Sequence, residues 1–128
     1  MKFLSDDWFT KLAELTDTYA TTAKIPEPVN NLILNISAIQ NGHVVQLRME
    51  HGFFRRGHSP EAHATLTLPA SFVKRIFFEK EQGAGALAFM SGQATVEGDI
   101  GKVMELQRVP TSEPQKKFVE SVLSFTDK

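Results

Sequence analysis

The sequence contains no cysteine among its 128 residues, which excludes a disulfide scaffold and a cysteine nucleophile. It has no apolar run long enough to span a bilayer, so no integral membrane segment is expected, although transient contact with a membrane surface is compatible with it. Acidic and basic residues are mixed along the chain, and the formal net charge is −1. Because nucleic-acid-binding proteins usually carry a basic patch, we expect no nucleic-acid partner.

The N-terminal residues lack the apolar core of a secretory signal, since Asp6 and Asp7 follow Phe3 and Leu4 almost directly. A cytoplasmic location is therefore the expectation. A length of 128 residues suits one domain, which we predict to extend over residues 1–128. The sequence leaves open whether the protein is a monomer or a homodimer.

The apolar residues are of an unusual kind, with ten Phe and four Met against one Trp and one Tyr. Phe and Met fill space without requiring a hydrogen-bond partner, and Met adapts to irregular shapes. Such a composition suits an ordinary aromatic core and also an adaptable apolar cavity. Composition alone favours the core.

A first helix is predicted from Ser5, whose side chain suits an N-cap, through an apolar stripe at helical spacing. The stripe consists of Trp8, Leu12, Leu15 and Tyr19. Pro26 and Pro28 are expected to prevent any continuation of this helix.

A β-hairpin is predicted next, with strands over residues 31–39 and 43–50. Apolar and polar residues alternate in both strands, as in a sheet that is covered on one face only. Asn41-Gly42 between them is a strong signal for a type I′ turn, because both central positions of that turn need a positive φ.

Strands and helices are partly segregated along the rest of the chain, which predicts an α+β domain. The predicted elements are a loop or a ragged edge over residues 51–61, a strand over 62–68, a helix through Phe72 and Phe77, a short helix ending at Ser91-Gly92, a strand over 93–97, a helix over 100–108 capped by Asp99 and stopped by Pro110, and a last helix that begins at Ser112-Glu113-Pro114.

Catalytic and metal-binding patterns are weak. The four histidines, His43, His51, His58 and His63, include no pair at metal-ligand spacing on a helix. Ser59 lies near His58 and His63 but has no nucleophile-elbow context. We therefore predict that the protein is not an enzyme and holds no metal or cofactor.

The stretch from Leu87 to Gln107, with the sequence LAFMSGQATVEGDIGKVMELQ, resembles the signature of the sterol carrier protein 2 family. The signature combines an apolar helix, a Gly turn, a short strand that ends in Gly-Asp, and a helix that ends in Leu-Gln. The strand at 64–68 and the helix through Phe77 fit in the same order. The sequence departs from the family at Gln93, where a basic residue is frequent, and at His63, where an acidic residue is frequent.

This resemblance implies a mixed sheet of about five strands that is covered on one face by helices, with an apolar cavity between the two layers. It also implies a hydrophobic lipid ligand, such as a fatty acid, an acyl-CoA, a sterol or an isoprenoid. Since only four strands are predicted from pattern, residues 52–57 are the expected place for the fifth.

The expected ligand-binding residues are apolar side chains of the helices, together with one polar contact, Gln107. Phe118, Val122 and Phe125 would form a lid at the C-terminal helix, as the resemblance implies. The full set is Phe72, Ile76, Phe77, Phe89, Met90, Ile100, Val103, Met104, Gln107, Phe118, Val122 and Phe125. Pattern alone does not separate a cavity lining from a packed core.

Two functions stay open. The first is the binding and intracellular transfer of a hydrophobic lipid. The alternative is an accessory module that binds another protein and presents a lipid intermediate to a partner enzyme.

Overall fold

The computed structural model describes residues 1–21, 32–108 and 112–127, without the side chains of residues 105–108. Pro26, Pro28 and Pro110, which were expected to end helices, lie outside the described residues. The elements in chain order are α1 (Asp6–Ala20), β1 (Ile33–Gln40), β2 (His43–Glu50), β3 (Phe53–Arg56), β4 (Ala64–Pro69), α2 (Ala70–Val73) with a π-helical turn (Lys74–Phe78), α3 (Ala84–Met90), β5 (Thr95–Gly98), α4 (Ile100–Arg108) and α5 (Glu113–Ser124).

The five strands form one mixed sheet in the order β3-β2-β1-β4-β5. β1 pairs antiparallel with β2 and parallel with β4, while β5 pairs antiparallel with β4 and β3 antiparallel with β2. The predicted α+β architecture with helices on one face of about five strands is confirmed. The hairpin turn is also confirmed, with φ of 52° at Asn41 and 79° at Gly42.

Strand β3 lies within residues 52–57, where the fifth strand was expected. Of the two interpretations of residues 51–61, a loop or a ragged edge, the structure has a short edge strand followed by a loop. A second tight turn leads into this strand. His51 and Gly52 have φ of 54° and 91°, so the chain reverses directly from β2 into β3. The strand lacks the usual alternation of apolar and polar residues, because Phe53 and Phe54 are both buried, at 3% and 2% exposure.

The helical face of the sheet carries the core. Along β1, Leu34, Ile36 and Ala38 are fully buried beneath the helices. Helix α1 begins as predicted, since the Trp8 N–H donates to the Ser5 hydroxyl at 3.2 Å. Its buried Thr16 donates from Oγ1 to the Phe54 carbonyl at 2.7 Å and so ties α1 to β3. The helices therefore rest on the sheet through apolar packing with few polar links.

The opposite face of the sheet, which we call the open face, is crossed by the connection from β3 to β4. The Asn35 amide donates to the Ser59 carbonyl at 3.0 Å and accepts from the Ser59 N–H at 2.8 Å. The Ile33 N–H donates to Nδ1 of His63 at 3.2 Å. Strand β4 starts at Ala64, two residues later than predicted, because the Ala62 N–H donates within the crossing loop, to the Ser59 carbonyl.

The segment after β4 is less regular than its apolar spacing indicates. Four α-helical residues lead into a π-helical turn in which the Glu79 N–H donates to the carbonyl of Lys74, five residues earlier. With this wider turn, two consecutive residues, Phe77 and Phe78, are both buried, at 5% and 1% exposure. Wide turns of this kind are rare and occur often at functional sites.

Candidate ligand-binding site

Exposed apolar side chains are concentrated on two helices. Among the described residues, eight large apolar side chains are exposed, and five of them lie on α3 and α4. These two helices precede and follow the edge strand β5 along the chain. We call the five side chains the β5 flank: Leu87, Phe89, Met90, Ile100 and Met104.

The large side chains of helix α3 are exposed, because the helix packs against the rest of the protein through small residues. Ala84 and Ala88, at 2% and 0% exposure, form its buried face. Met90 is 87% exposed at the end of the helix. The helix closes when the N–H groups of Gln93 and Ala94 both donate to the Ala88 carbonyl. This closure delays β5 to Thr95, two residues after the predicted start.

The edge strand β5 is held to β4 by close backbone packing. Val96 pairs with Leu66 on the helical face, yet Val96 is only partly buried while Leu66 is 3% exposed. The cover of helices is therefore less complete over β5 than over β4. At its end, Gly98 has a φ of 101° and the Asp99 N–H donates to the His63 carbonyl at 2.9 Å.

Helix α4 begins at Ile100, and Asp99 caps it as predicted, by accepting from the Lys102 N–H at 3.2 Å. One apolar face of α4 points partly inward. Val103 is 5% exposed, whereas Ile100 and Met104 beside it are 57% and 47% exposed. Gln107, the expected polar contact, lies outside the described side chains.

The expected site residues fall into two groups. One group is packed into the interior: Phe72, Phe77, Val103, Phe118 and Val122, with Ile76 and Phe125 partly buried beside them. The other group is exposed on the β5 flank: Phe89, Met90, Ile100 and Met104. Leu87 and Val96 belong to the same region but were not singled out from the sequence, although both lie within the stretch that carries the family resemblance.

The interior beneath the helices is rich in aromatic rings. The Phe118 ring centroid lies 5.1 Å from that of Phe53 and 5.7 Å from that of Tyr19. Phe54 stacks parallel to Phe118 at 6.3 Å and meets Phe77 at 5.8 Å. Edge-to-face and offset contacts of this kind stabilise aromatic clusters beyond the area they bury.

The C-terminal helix is expected to act as a lid. The residues that follow it are held by hydrogen bonds and an ion pair to other parts of the chain. The Trp8 indole N–H donates to the Thr126 hydroxyl at 2.8 Å. The amino group of Met1 lies 2.8 Å from a carboxylate oxygen of Asp127, and Lys74 donates to the Asp127 carbonyl at 3.0 Å. Movement of α5 as a lid stays a prediction.

Polar groups in the described interior are already paired. The buried polar residues are Thr16, Asn35 and Gln115, and each makes a hydrogen bond. Within residues 1–21, 32–104 and 112–127, no buried side-chain nitrogen or oxygen lacks a partner. Every buried polar side-chain atom in these ranges therefore already has a hydrogen-bond partner.

A surface ion pair lies beside the π-helical turn. The Arg75 guanidinium stacks over the Phe72 ring, 4.8 Å from its centroid, and donates to the Glu81 carboxylate. The hydrogen bond raises the pKa of Arg75 and lowers the pKa of Glu81, so both groups keep their charges. Because Arg75 is committed to Glu81, it is not available as a free cation.

The histidine and serine cluster on the open face has a structural explanation. The His58 Nε2 lies 3.0 Å from the Ile36 carbonyl and 3.4 Å from the Ser37 hydroxyl. A carbonyl acceptor requires a proton on Nε2, so this nitrogen cannot act as a base toward Ser37. The Ser59 hydroxyl accepts from the Glu61 N–H at 3.1 Å. In the described parts of the chain, no group of three metal-ligating side chains converges.

Comparison with known proteins places the chain in a family. A model of the SCP-2 sterol transfer family matches residues 10–110, and the chain belongs to this family. SCP-2 domains are non-catalytic, lipid-binding modules. Among curated proteins, no significant match is found.

Solved structures agree with this assignment of the fold. Sterol carrier protein 2 from Yarrowia lipolytica, in its apo form, is 17% identical with a TM-score of 0.56, covering 93% of this chain and 96% of its own. Sterol carrier protein 2 like 2 from Aedes aegypti is 17% identical with a TM-score of 0.54, covering 79% and 94%. Sterol carrier protein domain 2 of Helicoverpa armigera is 16% identical with a TM-score of 0.53, covering 88% and 87%.

A helix that crosses a bilayer must be both long and apolar. Within the described residues, none of the helices meets both requirements.

Proposed function

We propose that this protein binds one hydrophobic lipid between the sheet and its helices, with the opening at the β5 flank, and transfers it inside the cell. The observation that carries the proposal is the concentration of exposed apolar side chains on α3 and α4. The proposal also places the protein in the cytoplasm, as one domain without catalytic activity.

The proposed ligand is a long, unfunctionalised hydrocarbon chain whose polar head stays at the surface. A buried hydroxyl or carbonyl on the ligand would need a partner, since an unpaired buried polar group is costly. The described interior has no unpaired polar side chain to supply one. A fatty acid or an isoprenoid chain therefore fits better than a sterol with its hydroxyl buried.

The driving force would be removal of the hydrocarbon from water. Each buried methylene contributes about 0.8 kcal/mol, so ten methylenes contribute roughly 8 kcal/mol before the costs of ordering are subtracted. Affinity in the micromolar range corresponds to about −8 kcal/mol. A chain longer than about ten carbons is therefore needed to offset the ordering costs.

The proposed lining combines both groups of expected residues. Ile76, Phe77 and Val103 would contact the enclosed chain, while Phe89, Ile100 and Met104 would surround the opening. Because Phe72, Phe118 and Val122 pack in the interior without a ligand, we propose that they move apart or rotate when one enters. Phe side chains can do so without breaking hydrogen bonds.

A titration with palmitate, delivered from cyclodextrin, tests the proposal. We expect saturation at one site per chain, and about tenfold weaker binding after Met104→Asp, because a charge at the opening opposes entry of the hydrocarbon. The matched control is Val44→Asp, since Val44 is 59% exposed and pairs with Ile39 on the open face. It should bind like the unaltered protein. Absence of uptake across fatty acids, isoprenoids and sterols would overturn the proposal.

The alternative function, an accessory module that presents a lipid intermediate to a partner enzyme, is favoured by one feature. β5 is an edge strand of the sheet and connects α3 with α4, the two helices that carry the exposed apolar side chains. A partner strand could add to this edge. A stable complex with one enzyme, lost when β5 is altered, would support this function over free transfer.

A further inference from the structure

We infer that His63 is a pH-sensitive latch, which holds the start of β4 against β1 at neutral pH and releases it in mild acid. This inference goes beyond the proposed function, because it does not depend on a bound lipid. The observations that carry it are the hydrogen bond that the His63 ring accepts, the opposite role of His58, and the position of His63 between β1 and α4.

The His63 ring is an acceptor toward the backbone of β1. The Ile33 N–H donates to Nδ1 of His63 at 3.2 Å, and the His63 N–H donates in return to the Ile33 carbonyl at 2.9 Å. An imidazole nitrogen accepts only while it carries no proton. The ring must therefore be neutral, with its proton on Nε2. Protonation of Nδ1 would set two N–H groups against each other and leave the Ile33 N–H without its acceptor.

His58, on the same connection from β3 to β4, has the opposite requirement. Its Nε2 lies 3.0 Å from the Ile36 carbonyl and must carry a proton to donate to it. A second proton, on Nδ1, leaves this donor in place. Protonation of His58 is therefore compatible with the fold, whereas protonation of His63 is not, so His58 serves as an internal control.

His63 joins three parts of the fold. Its side chain and its N–H bond to β1, its chain continues directly into β4, and its carbonyl accepts from the Asp99 N–H at 2.9 Å. Asp99 in turn caps α4 by accepting from the Lys102 N–H. Release of His63 from Ile33 therefore loosens the attachment of the turn between β5 and α4.

Carboxylates near His63 would favour its protonated form, but they are weakly placed to do so. The titratable and charged groups of the neighbouring segments are Arg48, Glu50, His51, Arg55, His58, Glu61, Glu97, Asp99 and Lys102. Within the described part of the chain, no carboxylate forms an ion pair with the His63 ring. Glu50 is paired with Arg48 at 3.1 Å, and the other carboxylates of this set are exposed, where a charge attracts weakly.

The direction of the pH dependence follows from the role of the ring. An unfolded histidine takes up its proton at about pH 6.5, whereas the folded chain must first give up the bond from Ile33. The unfolded chain therefore binds more protons in mild acid, and stability falls as the pH is lowered below about 6.5. Above this pH the ring is neutral in both states, and the bond contributes fully.

Urea unfolding of the whole chain at about pH 7 and about pH 5 tests the inference, with the variants His63→Asn and His58→Gln. Asn offers Oδ1 as an acceptor in place of Nδ1 but does not titrate. Between the two pH values, we expect the folding equilibrium constant of the unaltered protein to fall about three- to tenfold more than that of His63→Asn. His58→Gln keeps a donor in place of Nε2 and should respond like the unaltered protein.

Nuclear magnetic resonance of the unaltered protein provides a second measurement that needs no variant. The amide signal of Ile33 should shift together with the titration of the His63 ring, because the bond between them is lost. An Ile33 signal that stays constant while the ring titrates would overturn the inference.

Equal pH dependence in the unaltered protein and His63→Asn would also overturn it, as would a pH dependence that disappears in His58→Gln. Failure of the latch is distinguishable from failure of the proposed function, since these measurements contain no lipid. Uptake of palmitate without the pH effect refutes the latch alone, whereas the pH effect without uptake of any lipid refutes the proposed function alone.

Discussion

Gly98 lies so close to the carbonyl of His63 that a Cβ at this position would be 2.7 Å from the oxygen and 2.9 Å from the Ala64 Cα. The φ of Gly98 is also positive, at 101°. Both features require glycine, since a side chain would meet backbone atoms that cannot rotate away. This contact fixes the end of β5 against β4 and so positions the start of α4.

Gly98→Ala is expected to lower the free energy of unfolding by about 2–4 kcal/mol in total. This loss is larger than the strain of a positive φ alone would cause. Gly92→Ala is the matched control, because Gly92 has a φ of 76° with no atom within 4 Å of a Cβ. It should lose only about 1–2 kcal/mol. Urea unfolding measures both variants. Equal losses would show that the close approach to His63 is unimportant.

The hydroxyl of Thr16 is the buried polar link between α1 and β3, with Oγ1 2.7 Å from the Phe54 carbonyl. Thr16→Val keeps the shape but removes the donor, so we expect a loss of about 1–3 kcal/mol in the free energy of unfolding. Thr10→Val is the control, since Thr10 donates to the Asp6 carbonyl on the exposed side of the same helix. Its effect should stay within about 0.5 kcal/mol, and similar losses for both would contradict the role given to Thr16.

Phe118→Ala removes a fully buried ring that contacts Phe53, Phe54 and Tyr19. The expected loss is about 3–5 kcal/mol in the free energy of unfolding, because a cavity remains among rings that cannot close it. Lys117→Ala on the exposed side of α5 should change stability by less than about 0.5 kcal/mol. If Phe118→Ala were equally mild, α5 would be loosely attached in the free protein rather than part of its core.

Much of the fold was predictable from local patterns. The Asn41-Gly42 turn, the Ser5 cap of α1 and the Asp99 cap of α4 each depend on residues adjacent in sequence, and all three are confirmed. The mixed sheet was predicted only through the family resemblance, since pairing of β1 with β4 joins segments about 30 residues apart. Strand β3 is missed by pattern because Phe53 and Phe54 break the alternation.

The site was less predictable, because helical spacing does not say how completely a face is covered. Phe118 and Met104 both lie on apolar stripes, yet one is fully buried and the other is 47% exposed. The difference arises from tertiary packing: α5 lies among the aromatic rings of β3 and α1, whereas Val103 is the one buried residue among the described side chains of α4. Leu87 was not singled out for the same reason.

Native mass spectrometry of the purified protein, before and after addition of palmitate, tests the central claim most directly. The account predicts a mass shift equal to one lipid molecule per chain, with release of a long-chain hydrocarbon amphiphile on denaturation. A chain that stays free of ligand at every concentration, in a fold that remains intact, would contradict it.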